Sequence, residues 1–168
     1  MNTTTLTWLS IWAVSIITLS GIGIVTAGNI PDNEWSLNLS GNHQEYITQE
    51  EYEQSINVEQ TSNYFSSVVD EKGQVWDGMP LWRLTNRVND TGNLAYLVTV
   101  TGTDGSTITL PGSEIAGNDA FILANTKNGE PIEQGDPSYP LVLAGRNLPA
   151  EEMISGVSSL TLTPSDSI

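Results

Sequence analysis

Few residues of this chain could carry chemistry, and they form no known catalytic pattern. His43 is the single histidine and cysteine is absent, so a Ser-His-Asp arrangement would have to use His43. That residue stands in Ser-Gly-Asn-His-Gln at 40–44, a predicted hairpin turn, which favours an exposed surface residue. A zinc site needs several His or Cys ligands, and the Asp-x-Asp-x-Asp-Gly spacing of a calcium loop is also missing. We therefore assign no catalytic residue and no metal ligand.

The pairs of charged residues also indicate no functional site. The adjacent carboxylates at 70–71 and 151–152 would point apart on most elements, and we interpret them as loop and helix-start residues. Arg83 and Arg87 lie one turn apart on a predicted helix and are the only paired cations. They could recognise a phosphate, or they could form salt bridges with an acidic surface, and the second interpretation is favoured.

The elements that would hold these residues are mostly strands, and the predicted class is α+β, a mixed sheet with short helices. Residues 35–39 alternate apolar and polar as in a half-buried strand, with a return strand at Tyr46 and Ile47. Thr48 and Glu51 form a capping box, which predicts a short helix from Gln49 to about Ser55. Residues 56–69 show no clear pattern.

The second half of the chain is easier to interpret. Asp77-Gly78 predicts a turn, and Pro80 the start of a helix that buries Leu81, Leu84 and Val88. Strands at 94–100 and 106–110 flank Asp104-Gly105, a hairpin signal, and Ser113 could cap one helical turn. The remaining expectations are a strand at 121–124 buried on both faces, a turn at Asn128-Gly129, and strands at 141–143 and 157–162.

Composition excludes whole classes of partner. The chain has 168 residues, with 20 acidic against 5 basic side chains and a formal charge of −15. Binding to DNA, RNA or anionic lipid needs clustered Lys and Arg, so nucleic acid is excluded as a partner. Such an acidic surface is also typical of proteins that stay soluble in high salt.

The N-terminus predicts export. Residues 6–27 carry no charge, which is long enough to span a bilayer as one helix. They could equally be a cleaved secretory signal, because Val25-Thr-Ala27 places small residues where a signal peptidase cuts. We expect residues 1–27 to be a signal peptide or membrane anchor, 28–34 a linker, 35–163 one domain and 164–168 a tail.

Two sequons fit an extracellular or cell-surface location. Asn38-Leu-Ser40 and Asn89-Asp-Thr91 make Asn38 and Asn89 candidates for N-glycosylation. Without cysteine there can be no disulfide framework, so the exported domain would depend on its hydrophobic core.

Three stretches together resemble a known family. They are Trp-Asp-Gly-Met-Pro-Leu-Trp-Arg-Leu at 76–84, Ala-Asn-Thr-Lys-Asn-Gly-Glu-Pro-Ile at 124–132 and Tyr-Pro-Leu-Val-Leu-Ala-Gly at 139–145. In this order they look like the sulfite-oxidase-type molybdopterin-binding oxidoreductase domain. The resemblance implies that fold for residues 35–163, with Trp76 and the strand at 121–124 buried in its core.

The same resemblance implies a cofactor site, but this chain lacks the cysteine that would bind the metal there. In the family a cysteine thiolate binds the molybdenum, and here the corresponding loop, 61–70, contains no thiol and offers serine and threonine hydroxyl groups instead. Ser66 and Ser67 are the nearest candidates, with Arg83 and Arg87 for the pterin phosphate. A neutral hydroxyl is a poor substitute for a soft thiolate, so we expect no cofactor, with molybdopterin as the alternative.

Three functions remain open at this point. The first is an exported, cofactor-free domain for binding or assembly at the cell surface, with a protein or glycan partner. The second is a pterin-binding oxidoreductase domain or subunit that lacks the cysteine ligand. The third is a surface or filament protein that self-associates through its apolar N-terminus. In the first interpretation, residues 6–27 lie in the membrane if they are not cleaved.

Overall fold

The computed structural model describes residues 34–54 and 65–165. The apolar segment at 6–27, the linker before residue 34 and most of the 56–69 stretch lie outside these ranges. Within them no helix is both long and apolar enough to cross a membrane.

Within residues 34–54 and 65–165, thirteen short elements follow one another. In order they are β1 (Ser36–Ser40), β2 (Gln44–Thr48), α1 (Gln49–Gln54), β3 (Ser66–Val69), β4 (Val75–Pro80), α2 (Leu81–Arg87), β5 (Tyr96–Gly102), β6 (Thr107–Pro111), α3 (Gly112–Ile115), β7 (Phe121–Lys127), β8 (Glu130–Pro131), β9 (Val142–Gly145) and β10 (Val157–Pro164). The strands outweigh the short helices, which agrees with the predicted α+β class.

The strands form two sheets. Sheet A has the order β2-β1-β10-β5-β6, and sheet B has β3-β4-β7-β8 with β9 also paired to β7. All pairs are antiparallel except β1 with β10, which is parallel, so sheet A is mixed as expected.

A central core lies between the sheets. Sheet A contributes fully buried Leu37, Leu39, Val98, Val100 and Leu160, which alternate with outward polar residues as in a strand with one wet face. Sheet B contributes Met79, Leu123 and Leu143, while α2 adds Leu81, Leu84 and its C-cap residue Val88 at the positions predicted from its helical spacing.

The central part of sheet B is buried on both faces. Its second face forms a separate cluster of Val68, Trp76, Ile122, Ala124, Ile132, Val142 and Ala144. Along β7, Ile122 belongs to this cluster while Leu123 belongs to the central core. The prediction that Trp76 is a core residue is confirmed, and so is the burial on both faces for Ile122, Leu123 and Ala124, whereas Phe121 is half-buried.

Several local predictions are confirmed in detail. The Glu51 N–H donates to Thr48 Oγ1 at 3.2 Å and the Thr48 N–H to Glu51 Oε2 at 3.0 Å, the reciprocal bonds of a capping box. Asn128 and Gly129 have φ of 52° and 83°, the left-handed values of a tight hairpin turn. The hairpin at Asp104-Gly105 joins β5 to β6.

Other predictions are wrong. Asp77 and Gly78 do not turn the chain: they lie inside β4, with a β-bulge between them opposite β7. A Cβ on Gly78 would stand 1.9 Å from the Leu123 oxygen, so this glycine allows close strand approach rather than a turn. Strand β5 begins at Tyr96 and not at Leu94, which is 52% exposed. Pro111, not Ser113, occupies the N-cap of α3.

One hydroxyl group connects α1 to sheet B beside this bulge. Tyr52 is completely buried; its OH donates to the Leu123 carbonyl oxygen and accepts from the Met79 N–H at 3.0 Å. Trp35 and Phe65 pack on its ring, with centroids 5.4 and 5.5 Å away. Burial raises the pKa of this phenol well above its ordinary value, although the Met79 hydrogen bond acts in the opposite direction.

We expect Tyr52→Phe to lower the free energy of unfolding by about 1–3 kcal/mol, because two buried backbone groups lose this partner. Urea titration measures the change. Tyr46→Phe is the matched control: Tyr46 is 49% exposed, and losing its hydroxyl should change stability by less than about 0.5 kcal/mol. Equal, small effects of the two variants would contradict the role of Tyr52.

A second buried polar group anchors the β3–β4 turn. Asp70 is 7% exposed and accepts hydrogen bonds from Trp76 Nε1 at 3.0 Å and from the N–H groups of Lys72 and Gln74 at 2.9 Å each. Desolvation by burial works against its ionised form. The three hydrogen bonds and the Lys72 charge outweigh it and hold the pKa of Asp70 below its usual range.

We expect Asp70→Asn to destabilise the protein by about 1.5–3 kcal/mol, the range for hydrogen bonds to a charged group. A lowered folded-state pKa stabilises the fold above the unfolded pKa, and this contribution is lost as the pH falls through the folded value. The gap between wild type and variant should therefore be widest above about pH 5 and shrink below about pH 4. Urea titrations across this range measure it, and a gap independent of pH would contradict the assignment.

Candidate functional site

Ser66 and Arg83 lie on different elements that meet at one edge of sheet B. Ser66 begins the edge strand β3, and Arg83 lies in the first turn of α2. Helix α2 is fixed in orientation because its apolar side, with Leu81, Leu84 and Val88, is fully buried. Its opposite side therefore presents Trp82 and Arg83, both half-buried, towards the surface.

Asp119 joins these two elements. Its Oδ2 accepts from Ser66 Oγ at 2.9 Å and its Oδ1 accepts from Trp82 Nε1 at 2.7 Å. The guanidinium carbon of Arg83 stands 4.7 Å from the centroid of the Trp82 ring, within the range of a cation–π contact. Ser66, Trp82, Arg83 and Asp119 form one surface cluster, which we call the Asp119 cluster.

The other two candidates lie outside this cluster. Ser67 faces the opposite side of β3, as alternation requires, and its hydroxyl donates to Asp77 on the neighbouring strand. Arg87 forms a salt bridge with Glu45 of β2: its Nε lies 3.1 and 3.0 Å from the two carboxylate oxygens. The salt-bridge interpretation of Arg87 is thus confirmed, and the four candidates do not converge on one ligand.

The Asp119 cluster is a poor site for an anionic pterin. A phosphate placed near Arg83 would approach the Asp119 carboxylate, and like charges repel at short range. The Ser66 and Ser67 hydroxyls both bond to carboxylates already, and the whole sequence contains no thiolate. These residues do not fit a molybdenum–pterin group, so we derive no reaction step through one.

Metal ligation and acid–base catalysis gain no support either. Within 34–54 and 65–165 no group of three or more His, Asp or Glu side chains is placed to hold a metal ion. His43 lies in the β1–β2 turn with an exposed side chain, and its Nδ1 is 3.0 Å from Asp90 Oδ2. Both groups face solvent, as the sequence predicted for His43.

The two sequons occupy different settings. Asn89 is in the turn after α2, where its Oδ1 accepts from Thr91 Oγ1 at 3.1 Å and its Nδ2 donates to the Asn93 carbonyl at 3.0 Å. Asn38 lies in the middle of β1, and its Oδ1 accepts from Gln44 Nε2 at 3.1 Å. Glycosylation at either position stays a prediction.

Three shallow clefts open on the described surface. Two have acidic linings: one of about 290 Å³ includes Glu53 and Glu133, and one of about 320 Å³ includes Asp70, Glu71 and Arg146. The third, of about 230 Å³, has a lining without any charged side chain. Its residues are Gly41, Asn42, Asn89, Thr91, Asn93, Ala95, Tyr96, Leu162, Thr163 and Pro164. We call it the neutral cleft.

Sequence reasoning missed the residues that organise the Asp119 cluster. Asp119 follows Gly117 and Asn118 in a turn, where a carboxylate is ordinary. It is 53 residues from Ser66 and 37 from Trp82. No spacing rule links positions so far apart, and only the strand pairing of β4 with β7 and of β3 with β4 brings them together.

Comparison with known proteins supports the fold and nothing finer. The sequence matches no protein-family model and no curated protein. The structure is similar to the crystal structure of the sulfane dehydrogenase SoxCD from Paracoccus pantotrophus, with a TM-score of 0.58 and 14% sequence identity. The match covers 79% of this chain and 39% of that one. The chain therefore shares its fold with part of a dehydrogenase and spans well under half of that protein's chain.

Proposed function

We propose that this chain is an exported, cofactor-free binding domain built on the sulfite-oxidase-type fold and displayed at the cell surface. The likeness to SoxCD supports an origin in an oxidoreductase fold. The observation that carries the proposal is the state of the candidate site: Ser66 bonds Asp119, Ser67 bonds Asp77 and Arg87 bonds Glu45. Side chains that already bond to neighbouring carboxylates favour a structural network over a ligand-binding site.

The same likeness favours one alternative, a pterin-binding oxidoreductase subunit without the cysteine ligand. In that case the cofactor would have to displace intramolecular bonds such as Ser66 to Asp119, and it would bring a phosphate beside a carboxylate. Each of these steps costs free energy. Measuring the cofactor content of the purified protein therefore distinguishes the cofactor-free binding domain from the oxidoreductase subunit.

We expect the purified full chain, expressed in a host that makes molybdenum cofactor, to contain no stoichiometric molybdenum, tungsten or zinc. Elemental analysis per mole of protein measures this. An enzyme known to carry molybdenum, produced in the same host, is the control for cofactor supply. One molar equivalent of molybdenum in this chain would overturn the proposal and establish the oxidoreductase alternative.

Export is the second part of the proposal, and its support is the uncharged segment at 6–27 and the sequence that follows it. Residues 28–47 contain no Lys or Arg, so they lack the positive charge that retains a flanking segment on the cytoplasmic side.

We expect protease added to intact cells to digest the domain, while a cytoplasmic protein in the same cells stays whole. Mass spectrometry of the N-terminal peptide then distinguishes an anchor from a signal: a peptide starting near Gly28 indicates cleavage. Protection of the domain in cells whose other surface proteins are digested would refute export.

A further inference from the structure

The outward side of sheet A carries two complete rows of uncharged polar side chains. The first row crosses the five strands at Tyr46, Asn38, Ser159, Thr101 and Thr107. The second row crosses them at Gln44, Ser40, Thr161, Thr99 and Thr109. We call these two rows the hydroxyl face. Not one of its positions is charged, although the chain has a formal charge of −15.

Side-chain hydrogen bonds show that these groups share one surface. Thr99 Oγ1 lies 3.1 Å from Thr109 Oγ1 across β5 and β6. Gln44 Nε2 donates to Asn38 Oδ1 at 3.1 Å and to the Tyr46 hydroxyl at 2.8 Å. None of the ten side chains is buried among the described residues, and Tyr46 is 49% exposed.

Charge restricts what this face could select. The acidic residues elsewhere repel a polyanion, and a polycation would bind the acidic surface in preference to a neutral face. A partner that prefers the hydroxyl face is therefore itself uncharged and rich in hydrogen-bonding groups.

Composition argues against a protein partner, including a second copy of the chain. The buried centre of a protein–protein interface is rich in apolar and aromatic residues, whereas Tyr46 is the only aromatic residue of the hydroxyl face. Burying many hydroxyl groups against a protein costs free energy wherever a hydrogen bond is not replaced. A polymer of sugars offers donors and acceptors along its whole length.

Geometry also suits a sugar polymer. Neighbouring strands lie about 4.8 Å apart, close to the length of one sugar ring. A polysaccharide crossing the strands would meet one polar side chain of each row per sugar, and the Tyr46 ring could stack on a sugar ring at the end of the row. The neutral cleft adjoins the same surface, because Thr163 of β10, two residues beyond Thr161, belongs to its lining.

We propose that the hydroxyl face binds a neutral polysaccharide laid across the strands of sheet A. This inference rests on the proposed binding function and gives it a partner of defined chemistry. The polymer is held by hydrogen bonds from Thr, Ser and Gln side chains and by the Tyr46 ring, without any charged contact. Asn38 takes part only where it carries no N-glycan.

The test uses the full chain in a detergent without a sugar headgroup. Depletion of the protein from solution is measured with insoluble cellulose, chitin, starch and mannan, and heparin serves as the polyanionic probe. We expect binding to at least one neutral polymer and none to heparin. Thr161→Glu and Thr99→Glu each place a charge in the centre of the face and should weaken binding by at least about tenfold, because the new carboxylate must be desolvated.

Val69→Glu is the matched control. Val69 is 53% exposed on sheet B, so this variant adds the same charge away from the face and should bind like the wild type. Near-UV circular dichroism checks that each variant is folded. Should both glutamate variants unfold, Tyr46→Ala at an exposed position provides the same test and should also weaken binding.

Four results would overturn the inference. They are no binding to any of the four polymers, binding to heparin alone, unchanged binding by the face variants, and self-association of the wild type that Thr161→Glu abolishes. The last result would indicate a second copy as the partner. A molar equivalent of molybdenum would instead refute the proposed function, and the polysaccharide assay does not depend on that measurement.

Discussion

The relative position of the two sheets depends on the hydrogen bonds of the Tyr52 hydroxyl. Strands β4 and β7 approach so closely at the bulge that only glycine fits at position 78. At the next residue the hydroxyl lies between the Met79 N–H and the Leu123 carbonyl. Because Tyr52 belongs to α1, which directly follows the second strand of sheet A, this bond fixes one sheet relative to the other.

The two sheets differ in how much of their surface is buried and in how easily their residues can change. The central part of sheet B is buried on both faces, so its residues are constrained by packing, and truncation of Trp76 or Ile122 would leave a cavity. Sheet A buries one face only, and its outward positions touch little apolar material. A surface of this kind can change its side chains at small cost to stability, whereas the candidate cofactor residues are tied into hydrogen bonds and a salt bridge.

Local patterns in the sequence predict much of this fold. The capping box at Thr48 and Glu51, the turns at Asp104-Gly105 and Asn128-Gly129, and the buried run at 121–124 all depend on near neighbours, and all are confirmed. The turn predicted at Asp77-Gly78 was wrong because glycine is found both in turns and where two strands approach closely, and the sequence does not distinguish these two roles. The Asp119 cluster was unpredictable, since its members meet only through pairing of distant strands. The Thr-x-Thr alternation of β5, β6 and β10 was visible, but a row across five strands depends on their register.

The parallel pairing of β1 with β10 has a consequence for the order of events in the cell. These are the first and last described strands, and β10 holds β1 and β2 to β5 and β6. The centre of sheet A therefore stays empty until the residues of β10 have left the ribosome. Contacts between such distant segments form slowly, so sheet A is completed late in folding. In the export that we propose, late closure of the sheet keeps the chain in a form that can be threaded through a translocation channel.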